Sequence, residues 1–319
     1  MQTFILAGGF ATRLWPLTEK RAKPLLPLAG TPLLSHLVSK VPADSPITIS
    51  TNAALAEGFD AWKKNQERED IVVVVEDAAH DDHKLGALGA VAEWITNEGI
   101  DEDILLLTGD NYCGFAMEKF LDVYTPGTAL LAAHDVSNTE AAKVFGTVIV
   151  GDDGKTIEAF EEKPENPKTS LVSTGFSVLP AATLPLLVEF AKKQPDNVGG
   201  IFEELLRQGK PVECFIFEEP WFDIGSFEAY MEATKELVGE QVLSDDSSTL
   251  ENTTCTGAVV LGKNTRIASS QLHNVVVFDD CIVDDCILQD CILDAHCTLR
   301  GIDLTGKMLR SGTELTSQV

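Results

Sequence analysis

Residues 275–309 read VVVFDDCIVDDCILQDCILDAHCTLRGIDLTGKML, with apolar pairs returning every five or six residues. An amphipathic helix returns its apolar face every three or four residues, so this spacing does not fit one. A short repeat rich in β-branched residues predicts a parallel β-solenoid, in which each coil buries its side chains against the next. Ile, Val and Leu recur through Val275, Ile282, Ile287, Ile292 and Leu299, with small Cys and polar Asp between them. Helical spacing ends near residue 241, and SDDSSTLENTT (244–254) is the expected boundary. The chain is therefore read as 1–240 followed by 241–319. A solenoid this short has open ends and a partly apolar flank, which the preceding domain or a second subunit would cover.

Before that boundary, short apolar runs alternate with helical patterns. FILAGG (4–9), PITIST (46–51), IVVVVE (71–76), DILLLTG (103–109) and TALLAAH (128–134) read as strands. AALAEGFDAWKKNQ and GALGAVAEWITNE, which lie between them, have helical spacing. This alternation predicts an α/β fold, a mostly parallel sheet with helices on both faces. Thr31-Pro32 before LLSHLVSKV reads as a capped helix start with proline at its first position. Shorter strands are expected at 145–150 and 156–161, and helices near 182–193, 200–208 and 226–238. Pro185 should break or delay the first of these.

Fifty Asp and Glu face 24 Lys and Arg, a net charge of −26. Such a balance disfavours nucleic acid and anionic membrane surfaces as partners, because both attract basic proteins. The longest apolar runs are far too short to span a bilayer. The opening MQTFILAGG lacks a basic stretch and a long apolar core, so no secretory signal is expected. Seven cysteines, none in a C-x-x-C pair, then predict free thiols in a reducing cytoplasm. Cys281, Cys286, Cys291 and Cys297 are spaced by the repeat rather than as a zinc knuckle with His296, and are expected as small buried residues at the stacked inward positions of the solenoid.

The residues that carry chemistry lie before the boundary. In LAGGFATRLWPLTEKRAKPLLPLAGTPLL (6–34), Gly8 and Gly9 follow a strand, where missing side chains let backbone N–H groups approach a phosphate or a base. Arg13 can hold phosphate oxygens in bidentate fashion, and Lys23 adds a second positive charge. LLLTGDNY (105–112) puts Asp110 at the carboxyl end of a buried strand, where open α/β sheets bind ligands and a carboxylate suits a hard cation such as Mg²⁺. PWFDIGSFEAY (220–230) offers Asp223, and AFEEKPENP (159–167) offers Glu162 and Lys163. A Glu-Lys-Pro string alone would be read as a solvated turn. GIDLTGKM (301–308) mimics a phosphate-binding loop but ends in Met308 and lies in the repeat, so it is set aside. His80, Asp81, Asp82 and His83 are read as a polar loop rather than a metal site.

Together these segments resemble the signature of the sugar nucleotidylyltransferases, L-A-G-G-x-G-T-R-L-x-P-L-T followed by P-K-x-L-x-P, over about residues 1–240. The chain departs from it at Ala11, usually glycine, and at Ala22-Lys23-Pro24, where Pro-Lys is commoner. The resemblance implies a Rossmann-like catalytic domain followed by a short left-handed parallel β-helix. It implies that Leu6, Ala7, Gly8, Gly9, Gly86 and Asp110 bind the nucleotide, and that Arg13 and Lys23 act on its phosphates. Asp110 and Asp223 would hold Mg²⁺. Glu162 would hold a sugar hydroxyl and Lys163 the phosphate of the sugar phosphate. VFGTVIV (144–150) and VSTGFSVL (172–179) resemble the family's Y-G and T-G segments, so Gly146 and Gly175 would turn backbone toward the sugar. Phe145 replaces the commoner tyrosine. VVEDAAHDDHKLGALGAV (74–91) occupies the base-reading region, with Glu76 where readers of thymine or uracil often carry Gln.

The expected activity is condensation of an NTP with a sugar 1-phosphate, releasing pyrophosphate. The pairs implied are dTTP or UTP with glucose 1-phosphate, or GTP with mannose 1-phosphate. An inactive regulatory or scaffolding subunit of the same fold is the alternative, although such subunits typically lose the charges retained here. A plain nucleotide-binding module would leave the E-K-P and T-G segments without a role.

Overall fold

The computed structural model describes residues 1–9, 11–76 and 85–317. In chain order run β1 (Gln2–Leu6), β2 (Pro27–Leu28), β3 (Thr31–Pro32), α1 (Leu33–Val38), β4 (Ile47–Asn52), α2 (Ala56–Lys63), β5 (Ile71–Glu76) and α3 (Ala87–Glu98). Then come β6 (Ile104–Thr108), β7 (Asn111–Cys113), α4 (Met117–Asp122), β8 (Ala129–Asp135), α5 (Thr139–Ala142), β9 (Gly146–Val150), β10 (Ile157–Glu162) and β11 (Leu171–Leu179). α6 (Leu184–Ala191), α7 (Gly200–Arg207), β12 (Val212–Phe217), β13 (Trp221–Asp223) and α8 (Phe227–Val238) precede the repeat. The chain forms two compact units, Met1–Gly9 with Leu37–Asp223, and Phe10–His36 with Ile224–Val319. Among the described residues no helix is long and apolar enough to cross a membrane.

In the first unit the strands lie in the order β10-β9-β11-β6-β1-β4-β5, with β8 joining at β11 and β12 at β8. The sheet is mixed. It is parallel through β6, β1, β4 and β5, and antiparallel where β11 meets β6, β8 and β9. The parallel half follows from helices interposed between strands, since parallel neighbours need long crossovers. Phe4 and Leu106 pack with Leu88, Val91 and Trp94 of α3 and with Leu187 of α6. Their chain neighbours Ile5, Leu105 and Leu107 are buried too. Because alternate residues point to opposite faces, both faces of the sheet are covered. Pro185 lies in the first turn of α6, where proline is tolerated, and neither breaks nor delays the helix, which opens at Leu184 after a 3-10 turn at Ala181–Thr183.

The second unit begins with a short ribbon, and here the expected helix start shifts. Thr31 and Pro32 pair with Leu28 and Pro27 instead of capping α1, and the helix opens at Leu33, whose N–H donates to Leu26 O at 2.9 Å. Ala11 has φ +45°, the left-handed region, and precedes a 3-10 turn at Thr12–Leu14.

The tail is a parallel β-helix. One sheet stacks Val242–Ser244, Thr254–Leu261, Gln271–Val277, Ile287–Leu293 and Asp303–Thr305, and the other stacks Thr249–Glu251, Arg266–Ala268, Ile282–Asp284, Thr298–Arg300 and Glu314–Thr316. Val283 pairs with Leu299 and Leu299 with Leu315, so one coil is 16 residues. Earlier pairs such as Leu250 with Ile267 are offset by 17, and the shift falls between Thr256 and Val259. Corners recur at left-handed residues in register: Asn264, Asp280 and His296; Ser269, Asp285 and Gly301; Asn274, Asp290 and Gly306. Asn, Asp and Gly are the residues that adopt this conformation most readily. The four cysteines of the repeat take the inward positions expected of them, while two of its recurring isoleucines do not. Ile282 is only half-buried and Ile287 is 48% exposed, whereas Cys281, Val283, Cys286, Leu288, Cys291, Leu293, Cys297 and Leu299 form the core. Each corner resets the alternation, so the cysteine before each apolar pair points inward. The thiols are free, and Cys281, Cys291 and Cys297 donate to the carbonyls of Asp294, Leu304 and Arg310.

Outward-facing Val260, Val276 and Ile292 lie in register and are also buried, and α8 packs on the strand that carries Val260. Arg21 bridges the ribbon segment to the tail. Its guanidinium meets Asp294 at 3.2 Å and lies 5.2 Å from the Phe278 ring centroid.

Candidate active site

A cleft of about 220 Å³ opens within the first unit. Its walls include Gly146, Glu162, Lys163, Gly175 and Asp223, residues drawn from four separate sequence segments. β9 and β10 are antiparallel partners, with Gly146 opposite Glu162. A Cβ on Gly146 would stand 2.4 Å from Phe160 Cζ, so the position requires glycine. At Gly175 φ is +81° and a Cβ would stand 2.4 Å from Thr108 Oγ1. This glycine interrupts the β11–β8 register between Ser173 and Ser177.

Burial pushes the Glu162 carboxyl above its ordinary range, and the nearby Lys163 ammonium opposes that shift. Lys163 Nζ lies 3.5 Å from Glu162 Oε1 on a side chain that stays largely exposed. Its backbone is left-handed, φ +45°. Two hydrogen bonds fix this turn: Glu162 N–H donates to Glu203 Oε1 at 2.8 Å, and Lys163 N–H to Phe145 O at 3.2 Å.

Four further wall residues escaped the sequence reading: Thr108, Asn111, Gly199 and Trp221. A Cβ on Gly199 would stand 2.0 Å from Glu162 Oε2. Trp221 packs edge-on to Phe145, ring centroids 5.2 Å apart. Among the described residues, Trp221 Nε1 and Asn111 Oδ1 are buried polar atoms without a hydrogen-bond partner. Buried polar groups are almost always paired, so an unpaired donor and acceptor on one cleft mark a place for a ligand. Thr108, Asn111 and Trp221 lie within quoted motifs, but no local pattern distinguishes them, and Gly199 lies outside all of them.

β7 and β13 form a small antiparallel ribbon, with Asp223 directly opposite Asn111. Asp110 immediately precedes Asn111, and its Oδ1 accepts from Asn111 Nδ2 at 2.8 Å. The half-buried Asp110 and Asp223 thus flank Asn111, the first just before it in the chain and the second across the ribbon from it. Among the described residues no group of three or more His, Cys, Asp or Glu side chains gathers as metal ligands. An oxygen-only set with two carboxylates fits Mg²⁺, which keeps several positions for water and phosphate.

The glycine turn after β1 has two unlike halves. Gly8 O accepts from Asn52 Nδ2 at 2.7 Å, and a Cβ on Gly8 would stand 2.9 Å from Glu76 Oε1, the atom that also accepts the Ser50 hydroxyl. Gly9 is exposed, and among the described residues nothing lies within 4 Å of the corresponding point. Leu6 O accepts Gly109 N–H at 2.8 Å, and buried Ala7 donates to Ser50 O at 2.9 Å. Gly86 has a different account. A Cβ there would stand 2.5 Å from the Pro195 backbone, and Leu88 N–H donates to Pro195 O at 2.7 Å. Packing at the start of α3 therefore requires this glycine whether or not a base lies near. His80, Asp81, Asp82 and His83 lie outside the described residues. Arg13 and Lys23 belong to the second unit, Arg13 exposed on its 3-10 turn and Lys23 buried, with 7% exposure.

The family model for nucleotidyl transferases matches residues 2–240. The bifunctional protein GlmU of Methanocaldococcus jannaschii is 26% identical over 82% of this chain and 60% of its own length. Mannose-1-phosphate guanylyltransferase of Mycobacterium tuberculosis is 24% identical over 86% of this chain and 79% of its own. Glucose-1-phosphate adenylyltransferase of Clostridium beijerinckii is 27% identical, covering 88% and 76%. The chain thus spans 60% of the bifunctional relative and about three quarters of the other two. A Bacillus anthracis candidate glucose-1-phosphate thymidylyltransferase, solved with sucrose, shares the fold at a TM-score of 0.64, 22% identity, and 73% and 93% coverage. With the model spanning three quarters of its length, the chain belongs to the nucleotidyl transferase family.

Proposed function

We propose that the protein is a sugar-1-phosphate nucleotidylyltransferase, joining an NTP to a sugar 1-phosphate with release of pyrophosphate. The observation that carries this reading is the cleft with one unpaired buried donor, Trp221 Nε1, and one unpaired buried acceptor, Asn111 Oδ1. A sugar hydroxyl both donates and accepts, so hydroxyls can complete the two. Glu162 would accept from a further hydroxyl, and Lys163 would hold the phosphate that acts as nucleophile.

In the reaction an oxygen of the sugar phosphate attacks the α-phosphorus of the NTP, and pyrophosphate leaves in line. Two anions must meet, so positioning and charge neutralisation dominate the barrier. Arg13 and Lys23 are assigned to the nucleotide phosphates through the signature they occupy, and Leu6, Ala7, Gly8 and Gly9 to the nucleotide itself. Gly9 supports this, being a glycine that no contact among the described residues requires. Asp110 and Asp223 would hold Mg²⁺, which when bound neutralises phosphate charge and orients the leaving group. No protein nucleophile is needed.

Among nucleotides the reading favours GTP. Glu76 lies against the Gly8 turn and, ionised, offers only acceptors. The pairing edge of guanine presents two N–H donors, whereas thymine and uracil present one.

Pyrophosphate release over a grid of five NTPs and several sugar 1-phosphates tests the reading. GTP is expected to be the best nucleotide, and Asp110→Ala and Asp223→Ala to lose on the order of 10²-fold or more in rate. Folded Asp variants with ordinary turnover would remove the metal assignment, and no release from any pair would remove the activity.

A further inference from the structure

Thr18 closes the signature stretch and has no role in the reading above. It is buried, with 3% exposure, and its hydroxyl donates to Ala11 O at 2.8 Å. The same carbonyl accepts Leu14 N–H at 3.0 Å. Ala11 is therefore a left-handed alanine whose carbonyl is held from two sides, and the next two residues lead to exposed Arg13. A left-handed backbone is disfavoured for any residue with a Cβ and persists only where the surroundings enforce it. Leu14 N–H belongs to the turn itself, so it cannot hold the turn against unwinding. The Thr18 hydroxyl comes from outside the turn and can.

We infer that Thr18 is a positioning residue, whose hydroxyl holds the strained Ala11 turn in the conformation that presents Arg13 to the nucleotide phosphates. This rests on the assignment of Arg13 to those phosphates. Glycine at position 11 carries no strain, so it should make the hydroxyl largely dispensable. Thr18 and Ala11 are thus coupled, and the coupling is measurable in a double-mutant cycle.

The cycle compares the unsubstituted protein, Thr18→Val, Ala11→Gly and the double variant, with Thr18→Ser as the conservative control. Thr18→Val is expected to lower kcat/KM for the NTP by about tenfold, with the sugar-phosphate KM within about twofold. Thr18→Ser and Ala11→Gly are expected within about threefold of the unsubstituted protein, and Thr18→Val in the Ala11→Gly background to cost no more than about threefold. If Thr18→Val fails to fold, the double variant decides: folded and active supports the inference, while unfolded beside a folded Thr18→Ser overturns it. Equal losses in both backgrounds, a loss confined to thermal stability, or equal shifts in both substrates would also overturn it. Failure of the unsubstituted protein to release pyrophosphate would overturn the underlying reading of Arg13, and is seen before any variant is made.

Discussion

At the scale of single residues, two glycines that look alike in sequence differ in what they protect. A methyl at Gly199 would meet the far end of the Glu162 side chain, which can swing away. A methyl at Gly86 would meet the Pro195 backbone, which cannot, and φ there is +80°. Gly199→Ala should therefore stay folded and raise the sugar-phosphate KM by about tenfold, with the NTP KM little changed. Gly86→Ala should lose about 2–3 kcal/mol of stability by denaturant titration. A destabilised Gly199→Ala with an unchanged sugar-phosphate KM would contradict this account of the cleft. The contrast also explains which parts of the site were legible. Glu162, Lys163, Gly146, Gly175, Asp110 and Asp223 stand in short local motifs. Gly199 matters only because Glu162, far away in sequence, lies against it, and Asn111 and Trp221 matter because each leaves a buried atom unpaired. Such facts exist only after folding.

Among elements, the main strands and helices were legible because their apolar periods differ, two against 3.6. The repeat was legible too, and so was the inward place of its cysteines, whereas the outward turn of Ile287 was not. Corners at left-handed residues reset the alternation, so Ile287 turns outward and Cys286 inward. Thr31-Pro32 carried a helix-start pattern but pairs with the strand before it, a contact that local propensity does not contain. The corners make an energetic prediction. One stack reads Ser269, Asp285, Gly301, all left-handed. Asp285→Ala should cost about 1 kcal/mol and Asp285→Gly close to nothing, both measured by chemical denaturation. Equal losses would mean that the Asp285 side chain, rather than its backbone, matters at that corner.

For the whole molecule, the family match ends at residue 240, whereas the compact units divide differently. The segment 10–36, which carries Arg13, Lys23 and the turn held by Thr18, groups with the β-helix. No composition or motif announces this, because it depends on Arg21 reaching Asp294 and Phe278 more than 250 residues further along the chain. The tail is consequently expected to matter for turnover through that segment, although none of the assigned phosphate or metal residues lies in it.

The 16-residue coil also sets how this tail can change over generations. Because every corner must fall on a left-handed position directly below another, lengthening works like adding links to a chain: a whole link fits, a fraction does not. Duplicating Cys281–His296 inserts one such link and repeats each corner in phase, leaving Arg21 its partners. Duplicating only Cys281–Asp285 would throw every later corner out of phase. The first protein should unfold in a single transition with a Tm within about 5 °C of the parent, roughly the shift of 1 kcal/mol or less, and the second should lose the tail's cooperative melting. Descendants of this sequence would then be expected to differ in tail length by steps of 16 or 17 residues, with few sizes between.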